Sequence, residues 1–102
     1  MMNYILDNSG SPVEEPDIIK WADWFEKANR RVARDMIGKV RISTVFLGID
    51  QSFGSGPPLI YETMIFGGEH EDYTVQTETR MAALAAHDHA VSLVRDKSEG
   101  KS

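Results

Sequence analysis

The sequence predicts an α+β protein in which an antiparallel β-sheet of four to five strands carries two helices packed on one face, in the order β-α-β-β-β-β-α. Three features of the 102-residue chain lead to this prediction. Apolar residues recur at helical spacing near the N-terminus, two runs rich in β-branched and aromatic residues occupy the middle, and an alanine-rich segment follows them. We expect a single domain over residues 1–94 and a disordered polar tail over residues 95–102.

The N-terminal third is expected to contain a short strand and a helix. The stretch NYILD is typical of a strand, and the turn formers NSGSP end it. EEPDIIKWADWFEKANRR then predicts a helix, because Pro16 suits a first helical turn and the apolar residues form one stripe. That stripe consists of Ile18, Trp21, Ala22, Phe25, Ala28 and Val32.

The middle of the chain is expected to supply most of the sheet. VRISTVFLGID and PLIYETMIFGG predict two long strands, and DYTVQT predicts a shorter one. The segment ARDMIGK before them is poorly defined, although Gly38 indicates a turn. Thr77 is expected to cap the final, alanine-rich helix. The inner side of that helix is expected to carry Met81, Leu84, Val91 and Val94.

Alternation along the two long strands predicts two different sheet faces. If the strands pair with matching parity, Val45, Leu47 and Ile49 lie beneath the helices. The opposite face is then too apolar to stand in water, and a second copy of the chain is its simplest cover. We therefore expect a homodimer; the alternative is a helix or the N-terminal segment folding across this face. The expected interface consists of Ile42, Phe46, Ile60, Met64 and Phe66.

The charge balance limits the partners. A net charge of -5 and a pI near 5.1 argue against general nucleic-acid binding, which needs an excess of Lys and Arg to neutralise phosphates. The stretch NRRVAR is a local exception that can form an anion site. Its alternative interpretation is a solvated helix end where cations complement the helix dipole.

A host protein or a small anionic ligand remains possible as a partner. Arginines would bind phosphate or carboxylate oxygens, while Thr44 and Glu62 are expected near Phe46 on the second sheet face. An aromatic ring, a hydroxyl and a carboxylate together are typical of a small-ligand site, and equally of a dimer interface with one charge pair. The candidate ligand-binding residues are Arg30, Arg31, Arg34, Arg41, Thr44 and Glu62.

The sequence contains no catalytic or metal-binding signature. The absence of cysteine excludes thiolate ligands, a cysteine nucleophile and disulfides. His87 and His89 are two residues apart on the predicted helix and point in different directions, so no metal or cofactor is expected. His87 falls on the apolar stripe, which favours a hydrogen-bonded core residue over a ligand or acid-base role.

The loop QSFGSGPP is expected to be a structural connection. It lacks the Lys of a P-loop, and Ser55 has Phe53 and Pro57 at the positions two residues away where a nucleophile elbow has glycines. We do not expect an enzyme; Glu62, Asp50 and His87 would be its acid-base residues.

The N-terminus lacks the pattern of a signal peptide and no run of 18 apolar residues occurs, so the sequence predicts a cytoplasmic protein outside the membrane.

Four stretches, EPDIIKWADWFEKANRRVA, VRISTVFLGID, GPPLIYETMIFGG and HDHAVSLV, resemble a family of small uncharacterised proteins encoded by tailed phages and prophages. The likeness extends from about Tyr4 to Val94. It implies a non-enzymatic accessory protein in the host cytoplasm that acts by stoichiometric binding. Counter-defence, by sequestering a host protein or a nucleotide-like ligand, is the expected role. The alternatives are a phage structural or assembly protein and a small hydrolase.

Overall fold

The computed structural model describes residues 2–52 and 56–99, and this part of the chain forms two helices and two antiparallel sheets. The predicted α+β class and the order of the elements are confirmed, with a further short strand at the N-terminus. The small sheet pairs β1 (Tyr4–Leu6) with β2 (Pro12–Glu14), and α1 (Ile18–Lys27) follows it. Asp17 caps α1, because its side chain accepts hydrogen bonds from the backbone of the first turn.

The larger sheet is a four-stranded meander that is followed by the long C-terminal helix. A two-residue turn joins its first two strands, and Gly38 supplies the positive φ of 58° that the turn requires. The second, third and fourth strands lie within the three segments predicted as strands. In chain order the elements are β3 (Arg31–Ile37), β4 (Val40–Phe46), β5 (Tyr61–Phe66), β6 (Thr74–Thr77) and α2 (Arg80–Glu99).

The prediction that the first helix continues through NRRVAR is wrong. The helix ends at Lys27, and Ala28 already has extended dihedral angles. The following residues form β3, because their backbone groups pair with β4, beginning with the Phe46 N–H, which donates to the Arg30 carbonyl at 2.8 Å. Val32, expected on the helical stripe, packs on the core from this strand instead.

One face of the larger sheet is covered by α2, which packs across all four strands. The other helix, α1, packs on β1 and reaches the core through Trp24, whose ring meets Phe46 edge-on at 5.8 Å. Both helices therefore lie on the side of the sheet that carries Phe46, with α2 across the strands and α1 in contact with Phe46 at the end of β4. The buried apolar residues of the described chain are Ile42, Phe46, Ile60, Tyr61, Ile65, Ala83, Ala90 and Val94.

The strand register differs from the matching parity expected from sequence. Thr44 pairs with Thr63 and Val45 pairs with Glu62, so even-numbered residues of β4 share a face with odd-numbered residues of β5. The predictions that placed part of the core on the second face are therefore wrong. Ile42, Thr44 and Phe46 are 0% exposed beneath α2, and Ile60 is 2% exposed in the same core. Met64 and Phe66 lie on the opposite face.

The inner side of α2 agrees with the prediction at Val91 and Val94, which pack on the core, and differs from it in the first half of the helix. Met81 is 82% exposed and Leu84 is 38% exposed, whereas Ala83, His87 and Ala90 face the sheet. Small alanine side chains let the helix approach the strands closely. The prediction favoured larger apolar residues at these positions and did not take this close approach into account. The helix α2 continues through Glu99, beyond the domain boundary expected at residue 94. Residues 53–55, which include the candidate Ser55, and residues 100–102 lie outside the described residues.

Candidate functional site

The face of the larger sheet that is opposite α2 is here called the outer face. Neither helix and neither strand of the small sheet packs on it within the part of the chain that the structure describes. Cross-strand pairing orders its side chains in three rows. The rows are Arg31, Val45, Glu62 and Gln76; then Arg34, Ser43, Met64 and Thr74; then Met36, Arg41 and Phe66.

A concavity of ≈ 210 Å³ opens on the cationic half of the outer face. It lies over β3, β4 and the end of β5, so regular sheet backbone positions its lining. Functional groups on regular elements are held more firmly than groups on loops. The lining residues are Arg31, Arg34, Arg41, Ser43, Val45 and Phe66.

Three arginines surround Ser43 in this concavity. Arg34 is the direct cross-strand partner of Ser43. Arg41 precedes Ser43 by two residues on the same strand, and Arg31 pairs with Val45, which follows Ser43 by two residues. Because residues two apart on a strand point to the same face, the three arginines and Ser43 line the same concavity.

The Arg41 guanidinium is supported from below by an aromatic ring. Its central carbon lies 4.3 Å from the centre of the Phe66 ring, which is a cation–π contact. The Arg41 Nε atom is buried, with no hydrogen-bond partner among the described residues. The guanidinium is thus held near the outer face while part of its donor capacity is unused.

The charges of the concavity are not neutralised within the described chain. The salt bridges within residues 2–52 and 56–99 are Lys27–Asp23 and His87–Asp35, and neither involves an arginine. Glu62 lies on the outer face, where it accepts a hydrogen bond from Gln76 Nε2 at 3.2 Å, and it does not line the concavity. A chain of net charge -5 therefore carries a compact cationic site.

The structure assembles only part of the candidate ligand site expected from sequence. It brings Arg31, Arg34 and Arg41 together, but it places Thr44 beneath α2. Arg30 serves the fold, because its Nη1 donates to the Phe46 carbonyl at 2.9 Å and its guanidinium stacks on Phe25.

Sequence reasoning missed Ser43 and Val45 as lining residues. Both lie on the outer face because of the strand parity, which the alternation pattern alone did not reveal. The Gly38 turn was the available signal, since a tight turn folds β4 back along β3 and brings Arg41 beside the two arginines of β3.

A chain of polar side chains crosses the core beneath α2. The Thr44 Oγ1 lies 2.6 Å from the Thr63 Oγ1 and 2.8 Å from His87 Nδ1. His87 Nε2 lies 2.7 Å from Asp35 Oδ2 on β3. One proton arrangement satisfies every atom: Thr63 donates to Thr44, Thr44 donates to Nδ1, and the Nε2–H donates to the Asp35 carboxylate.

This arrangement explains why a histidine is buried in the core. His87 is 3% exposed, and both ring nitrogens have partners. A buried polar group costs little free energy when its hydrogen bonds are made. The prediction of a hydrogen-bonded core histidine is confirmed.

The three residues named as acid-base candidates lie in different places. Glu62 is on the outer face, whereas His87 is on the α2 side of the sheet. Asp50 accepts hydrogen bonds from the backbone N–H groups of Ser52 and Leu59 at 2.8 and 2.9 Å, which lower the pKa of its carboxyl group and brace the β4–β5 connection.

Metal-binding clusters and membrane-spanning helices are both absent from the part of the chain that the structure describes. Residues 2–52 and 56–99 contain no group of three or more His, Cys, Asp or Glu side chains that could hold a metal ion. Neither of the described helices is long and apolar enough to span a membrane.

Comparisons with protein-family models, with curated proteins and with solved structures gave no match for this chain.

Proposed function

We propose that the protein acts by stoichiometric binding, without catalysis, and that its binding surface is the cationic half of the outer face. One observation carries the proposal: Arg31, Arg34 and Arg41 line one open concavity and have no acidic partner among the described residues. Arginine is the residue most suited to carboxylate and phosphate recognition, because its planar fork donates two parallel hydrogen bonds.

The distribution of charge favours a compact anionic target. The remainder of the chain is strongly acidic, since the net charge is -5 with three cations gathered at the site. A long polyanion that extended beyond the outer face would meet repulsion, whereas a small anion or a single anionic patch on a protein contacts the arginines alone. The site thus supports selective binding over general nucleic-acid binding.

Apolar surface beside the arginines suits a binding surface. Phe66 is 38% exposed, and Met64 and Val45 lie in the neighbouring rows. Exposed aromatic and Met side chains beside Arg are typical of the energetically dominant part of an interface. The acid-base candidates Glu62 and His87 lie on opposite sides of the sheet, which also supports binding over catalysis.

The biological setting stays a prediction from the sequence resemblance. It comprises a phage or prophage accessory protein, a counter-defence role and a location in the host cytoplasm. Homodimer formation also stays a prediction. Three of its five expected interface residues, Ile42, Phe46 and Ile60, lie in the core, so only Met64 and Phe66 remain available on the outer face.

Native mass spectrometry tests the proposal. The wild-type protein, mixed with extract of its expression host and then re-purified gently, is expected to carry an added small ligand or protein partner. The variant Arg31→Gln/Arg34→Gln/Arg41→Gln is expected to lose that added mass. Arg95→Gln is the control, because it removes a cation from α2 on the other side of the sheet. A wild-type protein without added mass, or an adduct that the triple variant retains, would contradict the proposal.

A further inference from the structure

The number of donors in the concavity restricts the chemistry of its ligand. Arg31, Arg34 and Arg41 line the concavity together with Ser43, whose hydroxyl is a further donor. A carboxylate is planar and has two oxygens, so one bidentate arginine satisfies most of it. A phosphate group offers three strong acceptor oxygens in tetrahedral directions and a charge approaching -2.

We infer that the cationic half of the outer face binds the phosphate group of a small phosphorylated molecule, centred above Ser43; this inference rests on the proposed function. The charge balance agrees, because three unpaired guanidinium groups are nearly neutralised by one or two phosphate groups and not by a single carboxylate.

The size of the concavity indicates how much of the ligand is held. Its ≈ 210 Å³ is smaller than the roughly 300–1,000 Å³ of pockets that enclose a whole drug-sized ligand. The phosphate group therefore occupies the concavity, and the rest of the molecule lies along the outer face. Met64, in the same row as Ser43, and the exposed part of Phe66, in the next row, form the apolar surface beside it.

Arg41 is the residue on which phosphate binding depends most. The Phe66 ring fixes its guanidinium at 4.3 Å, which reduces the conformational freedom that is lost on binding. Its buried Nε–H has no acceptor among the described residues, so this donor is not committed to the fold. Lysine at this position keeps the charge but loses the fork and the stacking.

Amide NMR titration of the ¹⁵N-labelled full chain tests the inference. At constant ionic strength the probes are inorganic phosphate, pyrophosphate, AMP, glucose 6-phosphate and a tetraglutamate peptide. Phosphate and pyrophosphate are expected to shift the amide signals of Ser43 and its neighbours on β3 and β4. Arg41→Gln is expected to weaken pyrophosphate binding at least tenfold, about the size of one charge-assisted hydrogen bond. Arg41→Lys is expected to weaken it to an intermediate degree.

The controls separate this inference from the proposed function. Arg95→Gln should bind like the wild type, and a well-dispersed amide spectrum shows that each variant is folded. Tighter binding of AMP than of glucose 6-phosphate would identify a nucleotide, and the reverse a sugar phosphate; both support the inference. Shifts caused by tetraglutamate alone would overturn phosphate as the ligand and leave the binding face in place. If no probe shifted the outer face and the native adduct survived in the triple arginine variant, both proposals would fail.

Discussion

At the scale of single residues, the polar side chains on the two faces of the sheet differ in whether they have partners within the protein. On the outer face Arg31, Arg34 and Arg41 have no acidic partner in the described chain and are free to bind. Beneath α2, Thr44 and His87 are buried, and their hydrogen bonds are made within the protein. We propose that the first group binds a ligand and that the second stabilises the fold, so substitutions in the two groups should have separable effects.

Thr44→Val tests the stabilising role of the buried chain. Valine has nearly the shape of threonine, but it leaves His87 Nδ1 and the Thr63 hydroxyl without their partner. We expect the free energy of unfolding to fall by about 1–3 kcal/mol in urea titrations, with pyrophosphate binding unchanged. Thr74→Val is the control, because Thr74 is exposed on β6 and should change stability by less than about 0.5 kcal/mol. Equal effects of the two substitutions would contradict this role.

At the scale of elements, α1 makes a second attachment beside the Trp24–Phe46 contact, and this one depends on a glycine. The Trp21 Nε1 donates to the carbonyls of Tyr4 and Gly48 at 3.1 and 3.0 Å. Gly48 has a positive φ of 77°, and a Cβ atom there would meet the Phe25 ring at 3.2 Å. The position therefore requires glycine for its backbone angle and also for the close approach of the helix.

Gly48→Ala is expected to loosen this attachment. Gly10→Ala is the matched control, because Gly10 has a similar φ of 84° but no atom within 4 Å of its added Cβ. Both variants bear the dihedral cost of about 1–3 kcal/mol, and Gly48→Ala should lose roughly 1 kcal/mol more through displacement of Phe25. Urea titration measures the difference, and tryptophan fluorescence should report a more exposed Trp21 only in Gly48→Ala. Equal stability of the two variants would show that the Phe25 contact is unimportant.

The elements also show how far the sequence could predict the fold. Periodicity identified α1, β4, β5, β6 and α2, because each has a strong local pattern. It misassigned β3, whose arginines and alanine suit a helix end locally; pairing with β4 decided its conformation. Periodicity also gave the wrong strand parity, because both faces of β4 carry apolar residues. The polar Thr44 can be buried because it hydrogen-bonds to His87, which lies 43 residues away in the sequence.

The candidate site was predictable only in part, because its residues are brought together by strand pairing between distant parts of the sequence. Sequence proximity suggested that Arg30, Arg31 and Arg34 act together, but neighbouring residues on a strand point to opposite faces. Arg30 instead donates a hydrogen bond to the backbone carbonyl of Phe46, and the β3–β4 hairpin places Arg41 beside Arg31 and Arg34. The arginine cluster of the outer face therefore depends on the register between the strands, which local sequence patterns do not determine.

At the scale of the whole molecule, the protein is elongated and presents much surface. Its principal extents are 53 × 30 × 21 Å, and its accessible surface is 6656 Å². A compact monomer of 11.4 kDa would expose about 5,800 Å², so the chain presents roughly 900 Å² more. Within the described residues, the larger sheet has α2 on one face and no helix packed on the other. Shape and charge together agree with a protein that works through its outer face.

The most direct measurement is the position of a bound oxyanion in a crystal. Tungstate resembles phosphate in shape and charge and is located by its anomalous scattering. A crystal of the full chain soaked in tungstate is expected to show its strongest anomalous peak above Ser43, within hydrogen-bonding distance of the guanidinium groups of Arg34 and Arg41. An excess of pyrophosphate should remove that peak. Strong peaks elsewhere with none on an accessible outer face would contradict the claim that this face is the binding surface.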